Sequence, residues 1–208
     1  MKQDTRKNIF ILLTRTSTPF SKAIRLVTHC DYTHASLGLY ENSLEFFSFG
    51  RKEPYTLPTT AGFITENLVE GVLNRNQNSP CVLYKLSVTN EVYKDIEERI
   101  RTFEMQPEQY SYSFLGTILC FFNVPHTIKN KYFCSQFVAE ILNDTRALPI
   151  DKNPSLYHPN DFIKETKLEV YYQGTLKELT QFLEENSNIN TYYEYTNTKN
   201  EYYSHGET

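Results

Sequence analysis

The sequence predicts an α+β protein, and three patterns predict it. Residues 32–40 (YTHASLGLY) and 44–49 (LEFFSF) flank Glu41-Asn42, a pair with turn chemistry, and read as two strands of an antiparallel hairpin. Residues 90–105 carry Val92, Ile96, Ile100 and Phe103 at helical spacing behind Asn90, a residue type suited to an N-cap. Residues 134–142 (CSQFVAEIL) place Phe137, Val138, Ile141 and Leu142 on one stripe of a further amphipathic helix.

The remaining elements follow in chain order. Residues 8–14 (NIFILLT) form a short apolar run of β type, expected to be buried on both faces. Ser17-Thr18-Pro19 is a helix start with proline at the first helical position, and Phe20, Ile24 and Val27 extend it over 18–28. Within the hairpin, alternation sets His34, Ser36 and Gly38 on one face and Ala35, Leu37 and Leu39 on the core face. Residues 51–80 hold three prolines and two glycines among polar side chains. They read as a long loop with one helical turn near 64–73, and a connection of that length borders function or moves. Residues 81–88 (CVLYKLSV) read as a strand, and 112–122 as a mostly apolar helix stopped by Asn123-Val124-Pro125. After proline-containing stretches at 149–159 come a strand at 168–172, a turn at Gly174, and a helix over 175–185 marked by Leu176, Leu179 and Leu183. From Ser187 onward Ile189 is the only aliphatic residue beside five tyrosines, so the chain divides into a domain over 1–186 and a weakly ordered polar tail over 187–208.

Composition narrows the function. The 208 residues carry 21 Lys and Arg against 25 Asp and Glu, a net charge of −4, which leaves no electrostatic footprint for nucleic acid. No apolar stretch reaches the roughly 18–20 residues of a membrane span, so no integral membrane segment is expected. The run IFILL is too short for a signal-peptide core, and a cytoplasmic protein is the expectation. Cys30, Cys81, Cys120 and Cys134 form no CxxC pair and are expected as reduced thiols. His29, Cys30 and His34 match no common zinc spacing; no metal and no cofactor are expected.

One thiol stands apart. In Tyr132-Phe133-Cys134-Ser135 the cysteine sits where a loop enters a helix, and the partial positive charge of the first N–H groups favours thiolate. The competing reading is a buried cysteine on the stripe of Val138. His34, facing away from the aliphatic core, supplies the imidazole such a thiol needs as base; alone, such a residue is more often structural. His126, His158 and His205 are expected in solvent.

The segments Tyr32-Thr33-His34-Ala35-Ser36-Leu37 and Tyr132-Phe133-Cys134-Ser135-Gln136-Phe137-Val138 resemble the two signatures of the permuted NlpC-type cysteine hydrolases, a papain-like superfamily that includes the YiiX-like bacterial proteins and lecithin–retinol acyltransferase. The histidine strand precedes the cysteine helix, which is the permuted order. Pro159-Asn160-Asp161-Phe162 adds to the likeness, which covers roughly residues 8–165. The resemblance implies a circularly permuted papain-like fold, with a small antiparallel sheet packed against the helix bearing the cysteine. It implies Cys134 as nucleophile, His34 as general base and then acid, the Cys134 backbone N–H as oxyanion donor, and Tyr132 as an aromatic hydroxyl beside the thiol.

In that family the residue orienting the imidazole comes from the strand after the histidine strand. A two-residue turn at Glu41-Asn42 would set Glu45 and Phe47 on the face of His34; a three-residue turn brings Ser48 there instead. Ser48 is the preferred orienter, with Glu45 and Glu66 as alternatives. The expected chemistry is acyl transfer through a thioester, as an amidase or peptidase acting on a small peptide or acyl-amide. The alternatives are an acyltransferase or lipid-amide enzyme on the same fold, with the 115–122 helix lining a channel, and a catalytically silent binding module.

Overall fold

The structure, a computed structural model, describes residues 6–16, 22, 25–26, 30–40, 44–51, 61–69, 73 and 75–186. The expected helix over 18–28 (apart from helical positions 22, 25 and 26), the turn pair Glu41-Asn42 and the tail 187–208 fall outside these residues. No helix among them is long and apolar enough to cross a membrane.

Six strands form one antiparallel sheet. They are β1 (Arg6–Thr14), β2 (His34–Tyr40), β3 (Leu44–Arg51), β4 (Ala61–Glu66), β5 (Pro80–Thr89) and, after two short strands, β8 (Glu169–Thr175). Their spatial order is β4-β3-β2-β1-β5-β8. Strand β1 is central and buried on both faces from Ile9 to Thr14, which is why its sequence is an unbroken apolar run.

Two helical layers cover the sheet. On one face α1 (Asn90–Met105) and α3 (Cys134–Asp144) bury Ile96, Phe103, Phe137 and Ile141 against Ile11, Leu37 and Phe49. On the other face a helix over 176–186 (α4) packs Leu176 and Leu179 on Phe10, Leu12, Phe46 and Leu83. Helix α1 is capped by Thr89, whose hydroxyl accepts from the Val92 N–H at 3.3 Å, rather than by Asn90. Helix α2 (Phe114–Phe121) is capped by Ser113, which accepts from the Gly116 N–H at 3.2 Å. Just before α2 and α3, the two-residue strands β6 (Ser111–Tyr112) and β7 (Lys131–Tyr132) pair in parallel and bring the starts of both helices together.

Two expectations change. Residues 61–66 are strand β4 and not loop or helical turn: Ala61 and Phe63 supply buried side chains, and Phe49↔Phe63 and Phe46↔Glu66 fix the register on β3. Gly174 lies within β8 rather than at a turn. The β2–β3 register runs from Tyr40↔Leu44 to Leu37↔Phe47, leaving three residues between the strands, and this parity sets Ser48 on the face of His34.

Candidate active site

The β2–β3 pairing stops at Leu37, so residues 34–36 part from β3. The Ser48 hydroxyl spans the gap, donating to the Ala35 carbonyl at 2.7 Å. The Ala35 N–H turns to the Cys134 sulfur, which also accepts from the N–H of Ser135. Strand geometry that leaves β3 therefore places an amide dipole on the thiol.

His34 is held from the far edge of the sheet. Its Nε2 lies 3.0 Å from both carboxylate oxygens of Glu66, at the end of β4, and 3.2 Å from the Ser36 hydroxyl, which donates to the same carboxylate. The other side of the ring engages the Cys134 thiol. With Nε2 committed to Glu66, Nδ1 is the nitrogen left for sulfur. His34 is 9% exposed, Glu66 7% and Cys134 5%, so these charges interact away from bulk water.

Burial disfavours every charge here, yet mutual interaction overrides it. Burial pulls His34 down, but the Glu66 carboxylate and hydrogen bonds to Cys134 and Glu66 hold it well above the ordinary imidazole range. Burial pushes Cys134 up, and its contacts with His34 and the N–H groups of Ala35 and Ser135 bring it below an ordinary thiol. Burial raises Glu66, and the charge and hydrogen bond of His34, with Ser36, lower it. The arrangement stabilises a thiolate–imidazolium–carboxylate row.

The row has a thermodynamic signature. His34 is raised above 6.5 on folding, so its contribution is full below that pH and is lost as pH rises through the raised value. Cys134 is lowered below 9.0, so its contribution is full above that pH and is lost as pH falls through the lowered value. Where the two windows overlap, proton uptake by one opposes release by the other, and wild-type stability changes less with pH than either group alone would make it. Cys134→Ser removes the rising arm. Its unfolding free energy in urea is expected to fall from pH 7 to 9, by at most about 1.4 kcal/mol per pH unit, for one proton. A profile as level as the wild type would deny the coupling.

Contacts across the fold fix both partners. The Ser135 hydroxyl donates to the Tyr157 carbonyl at 2.6 Å, and the Tyr32 N–H donates to Asn160 Oδ1 at 3.0 Å. The segment around Pro159–Lys164, a 3-10 helix, thus ties the start of α3 to the approach to β2. Phe133, at the N-cap of α3, offers no side-chain cap, so the first N–H groups of α3 receive none from it. A cavity of about 330 Å³ opens on Cys134 and His34, walled by Ile64, Phe114, Phe121 and Phe133. Residues 61, 64, 66, 73, 76 and 79 of the long connection also line it.

Several expected roles move to other residues. Ser48 does not reach the imidazole, because its hydroxyl is committed to Ala35; Glu66 takes that place. Glu45 pairs with Leu39 at the opposite end of the hairpin and is exposed. Tyr132 does not line the cavity: its hydroxyl bonds Glu140, its ring lies tilted with its centroid 5.1 Å from that of Phe49, and burial and Glu140 push its phenol up to about 12. Its strand partner Tyr112 lines the cavity instead, and burial and the nearby Cys134 sulfur raise its phenol. His158 is half-buried rather than solvated, with Nε2 3.6 Å from the Cys120 sulfur. That pair is neutral: burial lowers the imidazole and pushes the thiol up to about 12.

Ser36 and Tyr112 were the residues hardest to find from sequence. Ser36 follows His34 by two along a strand, which was its one local signal; Tyr112 had none. Among the described residues no three His, Cys, Asp or Glu side chains are placed to hold a metal ion, and His29 lies outside them. Comparison with protein-family models, curated proteins and solved structures found no match to this chain.

Proposed function

We propose that this protein is a cysteine-dependent acyl-transfer enzyme of the hydrolase type, an amidase or peptidase with a permuted papain-like active site. The observation that carries the reading is the buried Cys134–His34–Glu66 row, in which three interacting groups reverse the effect of burial on one another. Groups whose titration is perturbed by burial together with a specific charge partner cluster at functional sites.

In the proposed reaction the Cys134 thiolate attacks an amide or ester carbonyl carbon, and the π electrons move to the oxygen. The N–H groups at the start of α3 stabilise that oxyanion, each such donor contributing about 10²–10³-fold. The raised phenol of Tyr112 stays protonated and is a further donor. Collapse of the intermediate expels the amine or alcohol, which takes its proton from the His34 imidazolium and leaves a thioester on Cys134. Neutral His34 then removes a proton from water, the hydroxide oxygen attacks the thioester, and the thiolate departs as the acid forms. Glu66 keeps the ring oriented and balances its charge throughout.

A panel of p-nitrophenyl esters and p-nitroanilides tests the reading. Acid-quenched mass spectrometry is expected to find the acyl group on the peptide containing Cys134, and Cys134→Ala is expected to lack it. No acyl-Cys134 and no turnover across the panel would sink the proposal. A second reading, transfer to an acceptor other than water, is favoured by Phe114 and Phe121, the apolar side chains that α2 places on the wall of the cavity. Partition of the same acyl-enzyme between water and an added alcohol separates the two.

A further inference from the structure

Strand β1 runs out through Thr14, and Arg15 and Thr16 continue from the catalytic cavity into a second, open hollow of about 550 Å³. Arg15, Thr16, Asn76 and Ser79 line both. The outer hollow adds Lys22, Arg25 and Arg75. Four cations thus converge on one concavity in a chain whose acids outnumber its bases by 25 to 21. No Asp or Glu is among the described residues that line it. Asp31 lies alongside, 3.3 Å from Arg15, and fixes that guanidinium through its backbone carbonyl as well.

Thr14 is an independent sign of a ligand between the two hollows. It is 1% exposed, its Oγ1 has no hydrogen-bond partner among the described residues, and it lines the catalytic cavity directly across the strand pair from His34. A buried hydroxyl left unsatisfied costs about 1–3 kcal/mol, a cost that a polar group of a bound molecule removes.

We infer that the two hollows form one substrate site, in which the cationic outer part receives an oxyanion group, phosphate or carboxylate, of the molecule whose carbonyl is presented to Cys134. The Thr14 hydroxyl bonds the polar linkage between them. Guanidinium groups suit this task because their planar forks match either oxyanion, and a concave cluster of one sign concentrates its field at the mouth. The inference rests on the acyl-transfer reading for its reacting end and adds a charge requirement at the other.

Three thiol reagents test it: neutral N-ethylmaleimide, maleimidopropionate with a short anionic arm, and maleimidohexanoate with a long one. Their rates at Cys134, site-resolved by mass spectrometry, are compared for wild type, Lys22→Gln/Arg25→Gln and Arg75→Gln. In wild type at low salt the ratio of maleimidohexanoate to N-ethylmaleimide is expected to exceed that of Lys22→Gln/Arg25→Gln by about 10-fold, and to fall at high salt. The N-ethylmaleimide rate, measured in each protein, is the reference for that protein's ratio. Phenyl phosphate, but not benzyl alcohol, is the phosphate arm and is expected to protect Cys134. Protection without a preference for maleimidohexanoate assigns phosphate, and the reverse assigns carboxylate. Equal ratios in all proteins with no protection overturn the inference, while a fast low-pH reaction with N-ethylmaleimide leaves the acyl-transfer reading standing. An N-ethylmaleimide rate typical of an ordinary thiol overturns that reading instead. The anion site is then decided by calorimetric titration with phenyl phosphate, where equal binding by wild type and Lys22→Gln/Arg25→Gln rejects it.

Discussion

Iodoacetamide is expected to alkylate Cys134 at pH values below 9.0, the ordinary thiol value, and His34→Ala is expected to remove that reactivity. The loss is expected to grow as pH falls, because each unit of pKa difference changes the thiolate fraction tenfold. Two other thiols serve as internal controls in the same digest. Burial pushes Cys81 and Cys120 up to about 12, so neither is expected to react over this range. Cys120 is the sharper control, since it lines the same cavity and also lies beside an imidazole. The difference lies in charge. His158 is kept neutral by burial, while His34 has Glu66 behind it. An ordinary pH profile at Cys134, or one that survives His34→Ala, would defeat the thiolate–imidazolium pair.

Glu66→Ala is expected to cost about 3–5 kcal/mol, the range for removing one partner of a buried ion pair. It leaves the imidazolium without its counter-charge and the Ser36 hydroxyl without its acceptor. Glu66→Gln keeps a hydrogen-bonding side chain and loses the charge. Its stability loss is expected to be smaller, and the onset of Cys134 alkylation should move to higher pH as His34 falls. Ser48→Ala separates the two positions. It orphans the Ala35 carbonyl, a loss of about 1–3 kcal/mol, with no expected change in the alkylation profile. Urea unfolding and alkylation on the same three variants decide it: a Ser48→Ala shift as large as that of Glu66→Gln would return the orienting role to the serine.

The contrast between Ser48 and Glu66 shows where sequence reasoning reaches. Cys134 and His34 were legible because each is marked locally, by a helix start and by strand alternation. The hairpin parity hung on the turn length, two residues or three, and the three-residue register that admitted Ser48 is the one adopted. What the sequence could not convey is that β2 joins β3 only from Leu37 onward, so that the nearer hydroxyl closes a backbone gap at Ala35 while a carboxylate one strand further out spans to the ring. Strand β4 was hidden because Ala61-Gly62-Phe63-Ile64 is short and lies in a stretch rich in proline, glycine and polar residues, whose local signals favour a loop. Tyr112 and Tyr132 are neighbours across a two-residue parallel bridge, a pairing too short to leave any periodicity. The sheet order, with β1 central, was likewise not written in any single element; only the unbroken apolar run of β1 hinted at it.

The three groups of the row stand at positions 34, 66 and 134, and none touches another until distant parts of the chain meet. This ties reactivity to the order of assembly. A chain with β1 to β4 in place already owns the imidazole and its carboxylate, but the Cys134 thiol arrives only when α3 docks across β2 and β3. Before that event Cys134 is an ordinary thiol, mostly protonated near neutrality. The lowered titration of Cys134 is therefore a property of the completed fold, and an incompletely folded chain carries the same thiol in its ordinary form. Such long-range closure belongs to the slower class of folding events, so the interval of muted reactivity is long on the scale of helix formation.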